Sequence, residues 1–456
     1  MMLDTIAALS TPLGPGAIAV IRISGPRAEP ILHQIFSPYR HRKEFESHRL
    51  YHGEIICPKM GTFIDEVLVC LMRGPHSYTG EDVVEVFCHG GIHLPQKVLS
   101  AVLSAGARLA ERGEFTRRAF INGRLDLSQA EAVVDIINAS SDRGRELALR
   151  QLKGELRDTI QGWRERLNHC LARLEASIDF TEEIKEGETI QGLAEDLETL
   201  QGEIQKLART YERGRIFREG ASIVILGRPN VGKSSLLNYL LGRRRAIVTP
   251  IPGTTRDFLE EMVDINGLMV RLIDTAGIHT TENVLEQAGI ELVWDRLSDA
   301  ELVIFLCDGS ESLTEVDWQI MERIRARKVI PVINKIDLPL KINKDELIGF
   351  FGRPCVCISA KYGTGMGELK ESIYRALTDQ KGEGETGVAI THLRQFECLK
   401  RALAAISKGL SFDLVHQPEC AAEELKDALF ALGEITGDSV SEDLLDIIFS
   451  NFCVGK

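Results

Sequence analysis

The stretch that decides the fold runs from Ser222 to Gly242, "SIVILGRPNVGKSSLLNYLLG". It opens as an apolar, β-branched run, turns through Gly, Pro and Asn, and closes as a helical run. At its centre, Gly227–Ser234 matches the spacing GxxxxGK[ST] in the strand–loop–helix context that gives the spacing a mechanism. The glycines let successive backbone N–H groups wrap phosphate oxygens, Lys233 can reach the β and γ phosphates, and Ser234 can ligate Mg²⁺. Asn230, Val231, Gly232, Lys233, Ser234 and Ser235 are therefore candidate nucleotide-binding residues. The alternation continues downstream in the strand-like runs "LVIFLCDG" (302–309) and "KVIPVINK" (328–335), separated by helical periodicity. This predicts a parallel α/β sheet over residues 219–379.

Four further motifs specify the base and the switch regions. "NKID", Asn334–Asp337, follows the apolar run "VIPVI". The Asp337 carboxylate can accept two hydrogen bonds from the guanine N–H edge, whereas adenine would leave it unpaired, a mismatch of a few kcal/mol. Asn334, Lys335 and Asp337 join the candidate set, with Ser359, Ala360 and Lys361 of "SAK", suited to a backbone contact with the base. "DTAG", Asp274, Thr275, Ala276 and Gly277, ends the run "VRLI"; Asp274 can hold Mg²⁺ through water and Gly277 can offer its N–H to the γ phosphate. "TPIPGTTRD" supplies Thr249, Pro250, Ile251, Pro252, Gly253, Thr254 and Thr255, with Thr255 the expected Mg²⁺ ligand. Four ordered motifs predict a GTP-binding domain. Many GTPases place a water-orienting glutamine directly after DTAG. Here that position is Ile278, so either hydrolysis is slow unaided or another residue moves in.

Composition bounds the rest. A chain of 456 residues exceeds one ordinary domain. The balance of 54 basic and 67 acidic residues, net −13, argues against broad nucleic-acid or membrane-surface binding, though not against a local basic patch. Ten scattered cysteines without a CxxC pair fit a reducing compartment. No apolar run approaches the roughly 18 residues that span a bilayer, so a cytoplasmic protein is expected. "AIAVIRISG", "DEVLVCLM" and "EDVVEVFCHGG" read as strands and "HLPQKVLSAVLSAGA" as a helix, an α+β module over residues 1–116. Residues 117–218 and 380–456 carry helical periodicity with few breakers. The simplest arrangement is an α/β domain (219–379) inserted into a helical domain whose two halves must pack together. His89 and His93 of "HGGIH" lack an evident third metal ligand and are expected to be structural.

Beside the GTPase motifs stand "SYTGEDVVEVFCHGG", "GEFTRRAFINGRLDLSQAEAVVDII", "LGEITGDSVSEDLLDIIF" and the terminal "CVGK". Over its full length the chain resembles the MnmE (TrmE) tRNA modification GTPase family. The resemblance implies an N-terminal α+β domain that binds tetrahydrofolate and dimerises, a discontinuous all-α domain, and an inserted Ras-like P-loop GTPase domain. It implies a potassium ion in place of an arginine finger, held by Asn230, Thr249, Ile251 and Thr254 as the G domains of a homodimer meet. Glu286 is then the water-orienting residue, where the residues alone read as a solvated helix carboxylate. The resemblance also implies folate contacts from Arg22, Glu85, Arg124 and Lys456, the family's usual lysine being arginine at 124. The implied partners are tRNA and the FAD protein MnmG (GidA), in a heterotetramer. The implied reaction adds a carboxymethylaminomethyl-type group to carbon 5 of the wobble uridine of certain tRNAs, using 5-formyl-tetrahydrofolate or a related one-carbon donor.

Two other functions share parts of this pattern. A GTP-dependent switch for ribosome or RNA assembly shares the G-domain motifs. A lipidated signalling GTPase would use Cys453, but Val, Gly and Lys follow it in place of a prenylation box. Cys453 is left either as a nucleophile at the modification centre or as a small buried residue that seats the tail, with Lys456 bringing an ammonium and a carboxylate to one point.

Overall fold

The computed structural model describes residues 4–40, 44–179, 192–242, 260–273, 297, 300–378 and 387–456. The chain forms two compact units.

The first unit comprises Met1–Val134, Gln151–Ala194 and Ala404–Lys456. Its centre is a seven-stranded sheet of β1 (Ile6–Leu9), β2 (Gly14–Ser24), β3 (Phe36–Pro38), β4 (Arg49–Ile56), β5 (Phe63–Met72), β6 (Val83–Gly91) and β7 (Arg108–Leu109), in the order β3-β4-β5-β6-β2-β1-β7. Only the β1–β7 pair is parallel. Strand β5 shows why the segment is a strand: Asp65, Val67, Val69 and Leu71 are buried while Glu66 and Leu68 between them are exposed, the period of two expected of a sheet with one covered face. The cover is α1 (Ala28–Ile35) and α2 (His93–Ser104), whose Ile31, Leu32, Ile35, Val98 and Val102 pack on Ile21, Ile23, Val84 and Val86. Strands β1, β3 and β4 were not anticipated.

Next come α3 (Glu114–Ile121), α4 (Leu127–Asn138), α5 (Asp142–Leu152) and α6 (Glu155–Asp179). In α6, Leu156, Ile160, Trp163, Leu167, Leu171 and Leu174 are buried at steps of three or four, one stripe of a helix. That helix packs on Pro418–Thr436, which offers Ala421, Ala422, Leu425, Ala428 and Ala431; the small residues permit close approach of the backbones. Lys426 pairs with Glu175 at 3.1 Å across this contact. Two helical stretches on either side of the α/β sequence are thus in contact.

The second unit comprises Asp135–Arg150 and Glu195–Leu403. Within it, α7 (Leu193–Ala208) is followed by α8 (Tyr211–Glu219), which leads into the six-stranded sheet of β8 (Ala221–Leu226), β9 (Glu260–Ile265), β10 (Leu268–Ile273), β11 (Leu302–Asp308), β12 (Val329–Asn334) and β13 (Val356–Cys357). The order is β13-β12-β11-β8-β10-β9, parallel except for the β9–β10 hairpin. Asn266 and Gly267 make that two-residue turn with φ of 55° and 82°, the left-handed pair that matches strand twist. Every residue of β11 and β12 is buried, as expected of central parallel strands covered on both faces. The remaining helices are α9 (Lys233–Leu241), α10 (Glu315–Ile324), α11 (Lys344–Phe351), α12 (Met366–Thr378), α13 (Leu393–Ser411), α14 (Pro418–Thr436) and α15 (Glu442–Ser450).

Candidate functional site

In the second unit the nucleotide motifs lie at the carboxyl ends of parallel strands of one sheet: the P-loop after β8, "NKID" at the end of β12 and "SAK" after β13. Ligands of open α/β sheets bind at that edge. The P-loop winds tightly. Asn230 has φ 61° and Gly232 has φ 103°, and a Cβ on Gly232 would lie 2.3 Å from Asn334 Nδ2, so glycine is required there. Lys233 Nζ donates to the carbonyls of Gly227 and Arg228 at 2.8 and 3.0 Å, which holds its ammonium over the loop. Ser234 and Ser235 are exposed at the start of α9, where free N–H groups and the helix dipole favour an anion.

Asn334 is the brace of the site. It is 3% exposed; its Nδ2 donates to Val231 O at 2.8 Å and its Oδ1 accepts from Ala360 N at 2.9 Å. One side-chain amide therefore ties the P-loop, the base-recognition loop and the "SAK" loop together. Ser359 Oγ donates to Asp337 Oδ1 at 2.6 Å, fixing the carboxylate that would meet guanine. Lys335, at φ 61°, donates to Asp308 Oδ2 at 2.5 Å. Burial would raise the Asp308 carboxyl, but hydrogen bonds from Lys335 and Ser310 outweigh it and hold the group below its ordinary value. Lys361 is exposed, with its ammonium 4.9 Å from the Tyr362 ring.

Two supports of this site escaped the sequence reading. Asp308 is the ladder partner of Asn334 across β11 and β12, a register that parallel pairing could have revealed. Arg228, inside the P-loop, pairs with Glu311 and lies 3.5 Å from Asp317, a 1%-exposed residue of the α10 capping box. Thr249, Pro250, Ile251, Pro252, Gly253, Thr254, Thr255, Asp274, Thr275, Ala276, Gly277 and Glu286 lie outside the described residues.

In the first unit, a second constellation gathers around β2 and β6. Arg22 and Glu85 are direct cross-strand neighbours, and Arg22 Nε and Nη2 both donate to Glu85 Oε1, at 2.9 and 2.8 Å. The Arg22 guanidinium lies 4.9 Å from the Tyr78 ring centre and 5.7 Å from that of Phe115. Burial raises the Tyr78 phenol, whose oxygen is 2.8 Å from the Thr116 hydroxyl. Arg124 is exposed and donates to the Ser77 carbonyl at 3.3 Å, one residue from Tyr78.

The tail comes to the same place. Leu445, Phe449 and Phe452 pack with Leu127 and Ala130. Beyond them, Gly113 N donates to Cys453 O at 3.4 Å, Val454 bridges to Arg112, and Ser10 Oγ donates to Gly455 O at 3.1 Å. Gly455 has φ 93°, and a Cβ there would lie 2.4 Å from Leu9 O. Burial, then the positive field of Arg22, lowers the Lys456 ammonium from its ordinary value, with Cys453 and Glu85 acting the other way. Arg22 and Glu85, two positions implied by the resemblance, are thus paired, and the field of Arg22 reaches a third, Lys456. Cys453 is exposed, so its side chain is not a buried peg; the residue seats the tail through its carbonyl. His89 is held by Asp65, with Nδ1 to Oδ1 at 2.8 Å and backbone N to Oδ2 at 2.9 Å.

A parallel sheet whose strand ends carry a P-loop, a guanine-type Asn-Lys-x-Asp loop and an "SAK" loop defines a P-loop GTPase. The family described as GTP-binding protein TrmE N-terminus matches residues 5–124, and that described as MnmE helical domain matches residues 127–453. The "tRNA modification GTPase MnmE" of Syntrophus aciditrophicus is 47% identical, with 100% of both chains covered. That of Carboxydothermus hydrogenoformans is 45% identical over 100% of both, and that of Geobacter sulfurreducens 43% over 99% of both. The chain belongs to the MnmE (TrmE) tRNA modification GTPase family, and it is a GTP-hydrolysing enzyme. Among the described residues, no helix is long and apolar enough to cross a membrane.

Proposed function

We propose that this GTPase is activated by potassium and acts with MnmG (GidA) and a tetrahydrofolate one-carbon donor. The pair would modify carbon 5 of the wobble uridine of certain tRNAs in the cytoplasm. The observation that carries the folate part is the meeting of Arg22, Glu85 and Lys456 beside Tyr78. Two cations suit the carboxylates of a folate tail. Glu85 spends one oxygen on Arg22, and its other oxygen can accept from a pterin N–H edge. Arg124 would add a third cation, and the exposed Cys453 thiol stands at the rim as a candidate nucleophile.

In the nucleotide site, Asn230 projects from the P-loop into solvent, as an oxygen ligand for K⁺ requires, and Ser234 offers a hydroxyl for Mg²⁺ at the head of α9. When bound, the two cations supply positive charge to the phosphate oxygens as the γ-phosphoryl group leaves. The remaining cation ligands assigned by the family are Thr249, Ile251, Thr254 and Thr255, with Glu286 to orient water and G domains of a homodimer meeting across the potassium. Asp274, Thr275, Ala276 and Gly277 would hold the γ phosphate and Mg²⁺, and Ser359, Ala360 and Lys361 the base. The domain division that goes with this reading is 1–116, 117–218, 219–379 and 380–456.

The decisive experiment is a mass-spectrometric profile of wobble uridines with and without the gene, complemented by wild-type chain. Loss of the carbon-5 group on deletion supports the reading, and an unchanged profile with altered ribosome assembly would overturn it in favour of an assembly switch. The potassium part has its own test: GTP turnover should be faster in KCl than in NaCl at equal ionic strength, and equal rates would remove it.

A further inference from the structure

The second unit contains a cavity of about 580 Å³ that none of the nucleotide motifs lines. Among the described residues its wall is basic: Arg143 on α5, Lys206 on α7, Arg209 at the break between α7 and α8, and Arg213 on α8, beside the carboxylate of Glu212. Its floor is apolar, formed by Phe217, Leu147, Leu377 and Val388.

The cations differ in how committed they are. Arg143 is paired with Glu146 at 2.6 Å. The guanidinium of Arg213 lies 5.6 Å from the centre of the Phe217 ring, which also lines the cavity. Arg209 is exposed, and its side chain makes no hydrogen bond or ion pair among the described residues. Lys206 in the last turn of α7, Arg209 in the turn that follows and Arg213 on α8 place three cations in succession across the break between the two helices, all lining one opening. A small anion would need one converging cluster; a row of cations fits a polymer of phosphates.

We propose that this cleft is a docking site for the sugar–phosphate backbone of RNA, reached by Lys206, Arg209 and Arg213. The inference rests on the reading that the protein works on tRNA, and it adds a place of contact on this chain. The apolar floor keeps water from the inner side of the cations, so each attracts phosphate more strongly than a fully solvated side chain would. Being a backbone contact, the site carries no sequence information; it positions the RNA, and its contribution fades with salt through counterion release.

The test is anisotropy of fluorescein-labelled unmodified tRNA with the full-length protein over a series of KCl concentrations. Arg209→Glu should weaken binding by about tenfold near physiological salt, and Arg209→Glu with Arg213→Glu by more; the slope of log Kd against log salt should fall by about one per contact removed. The GTPase rate should stay at the wild-type value, which also reports that the variants fold. Arg375→Glu, the same charge change at an exposed arginine paired with Glu371, is the control and should leave Kd nearly unchanged. Equal losses from Arg209→Glu and Arg375→Glu would overturn the proposal, since only net charge would then matter. Wild-type binding unaffected by either variant would overturn it too, while leaving the tRNA reading standing. A wild-type chain that does not bind tRNA would overturn both. Tripolyphosphate binding abolished by Arg209→Glu, with tRNA binding intact, would assign the cleft to a small anion and not to RNA.

Discussion

The nucleotide site and the tail-seated site are built in opposite ways. The first rests on a sheet whose five parallel strands, β8 and β10–β13, deliver their carboxyl ends to one edge, so each contributing loop is a short continuous motif. The second rests on an antiparallel sheet and takes single residues from β2, β6, the start of α3 and the tail. No one stretch contains it. A parallel sheet concentrates function into motifs, and an antiparallel one with a returning tail scatters it among isolated residues held by long-range contacts.

Removing the brace of the first site should produce the largest effect. Asn334→Ala leaves the Val231 carbonyl and the Ala360 N–H without their buried partner, at a cost of about 2–4 kcal/mol. GTP affinity, followed with a fluorescent analogue, should fall by about a hundredfold, while binding of tetrahydrofolate is unchanged; a coupled loss of both would break the contrast between the sites. Gly455→Ala tests the second site. A Cβ facing Leu9 O in a left-handed backbone should unseat the tail for about 1–3 kcal/mol and weaken tetrahydrofolate about tenfold, with GTP turnover intact. Calorimetric titration with tetrahydrofolate decides it, and undiminished binding would detach the tail from the site.

A smaller and more local effect concerns protons. Because the Lys456 ammonium is lowered, the unfolded chain binds more protons than the folded one between the lowered value and the ordinary 10.5. The burial penalty is therefore fully present below the folded value and is relieved as pH rises through that window, so the seat gains stability toward alkaline pH. Titration of isotopically methylated lysines by NMR should show one resonance moving early, and Arg22→Gln should return it part of the way. An ordinary titration in the wild type would count against the geometry. Smallest of all is Cys453→Ser: with an exposed thiol, thermal stability should shift by less than about 0.5 kcal/mol and GTP turnover should not change. Loss of tRNA modification in that variant would mark the thiol as chemical.

What the sequence disclosed follows the same contrast. The order of the GTPase motifs, strand β8 and helix α9 were legible because each is local. The part played by Asn334 was not, since its partners are backbone atoms 103 and 26 residues away. Strand β4 escaped because Gly53 and His52 interrupt its apolar alternation, and its pairing with β5 supplies what local preference lacks. At the tail, Arg22, Glu85 and Lys456 were reached only by resemblance. Nothing near Arg22 announces that Lys456 will lie within its field.

The seat of the tail has a consequence for how the chain is made. Leu9, Ser10 and Gly113 leave the ribosome before Gly455, which comes more than three hundred residues later. At about 5–20 residues per second, the seven-stranded sheet waits for roughly 20–70 s of synthesis before the tail arrives. During that interval Arg22 and Glu85 can already pair across β2 and β6 while Lys456 has yet to arrive. A nascent chain thus carries the Arg22–Glu85 pair without Lys456, so on the folate reading proposed above it holds a folate less tightly than the folded protein does.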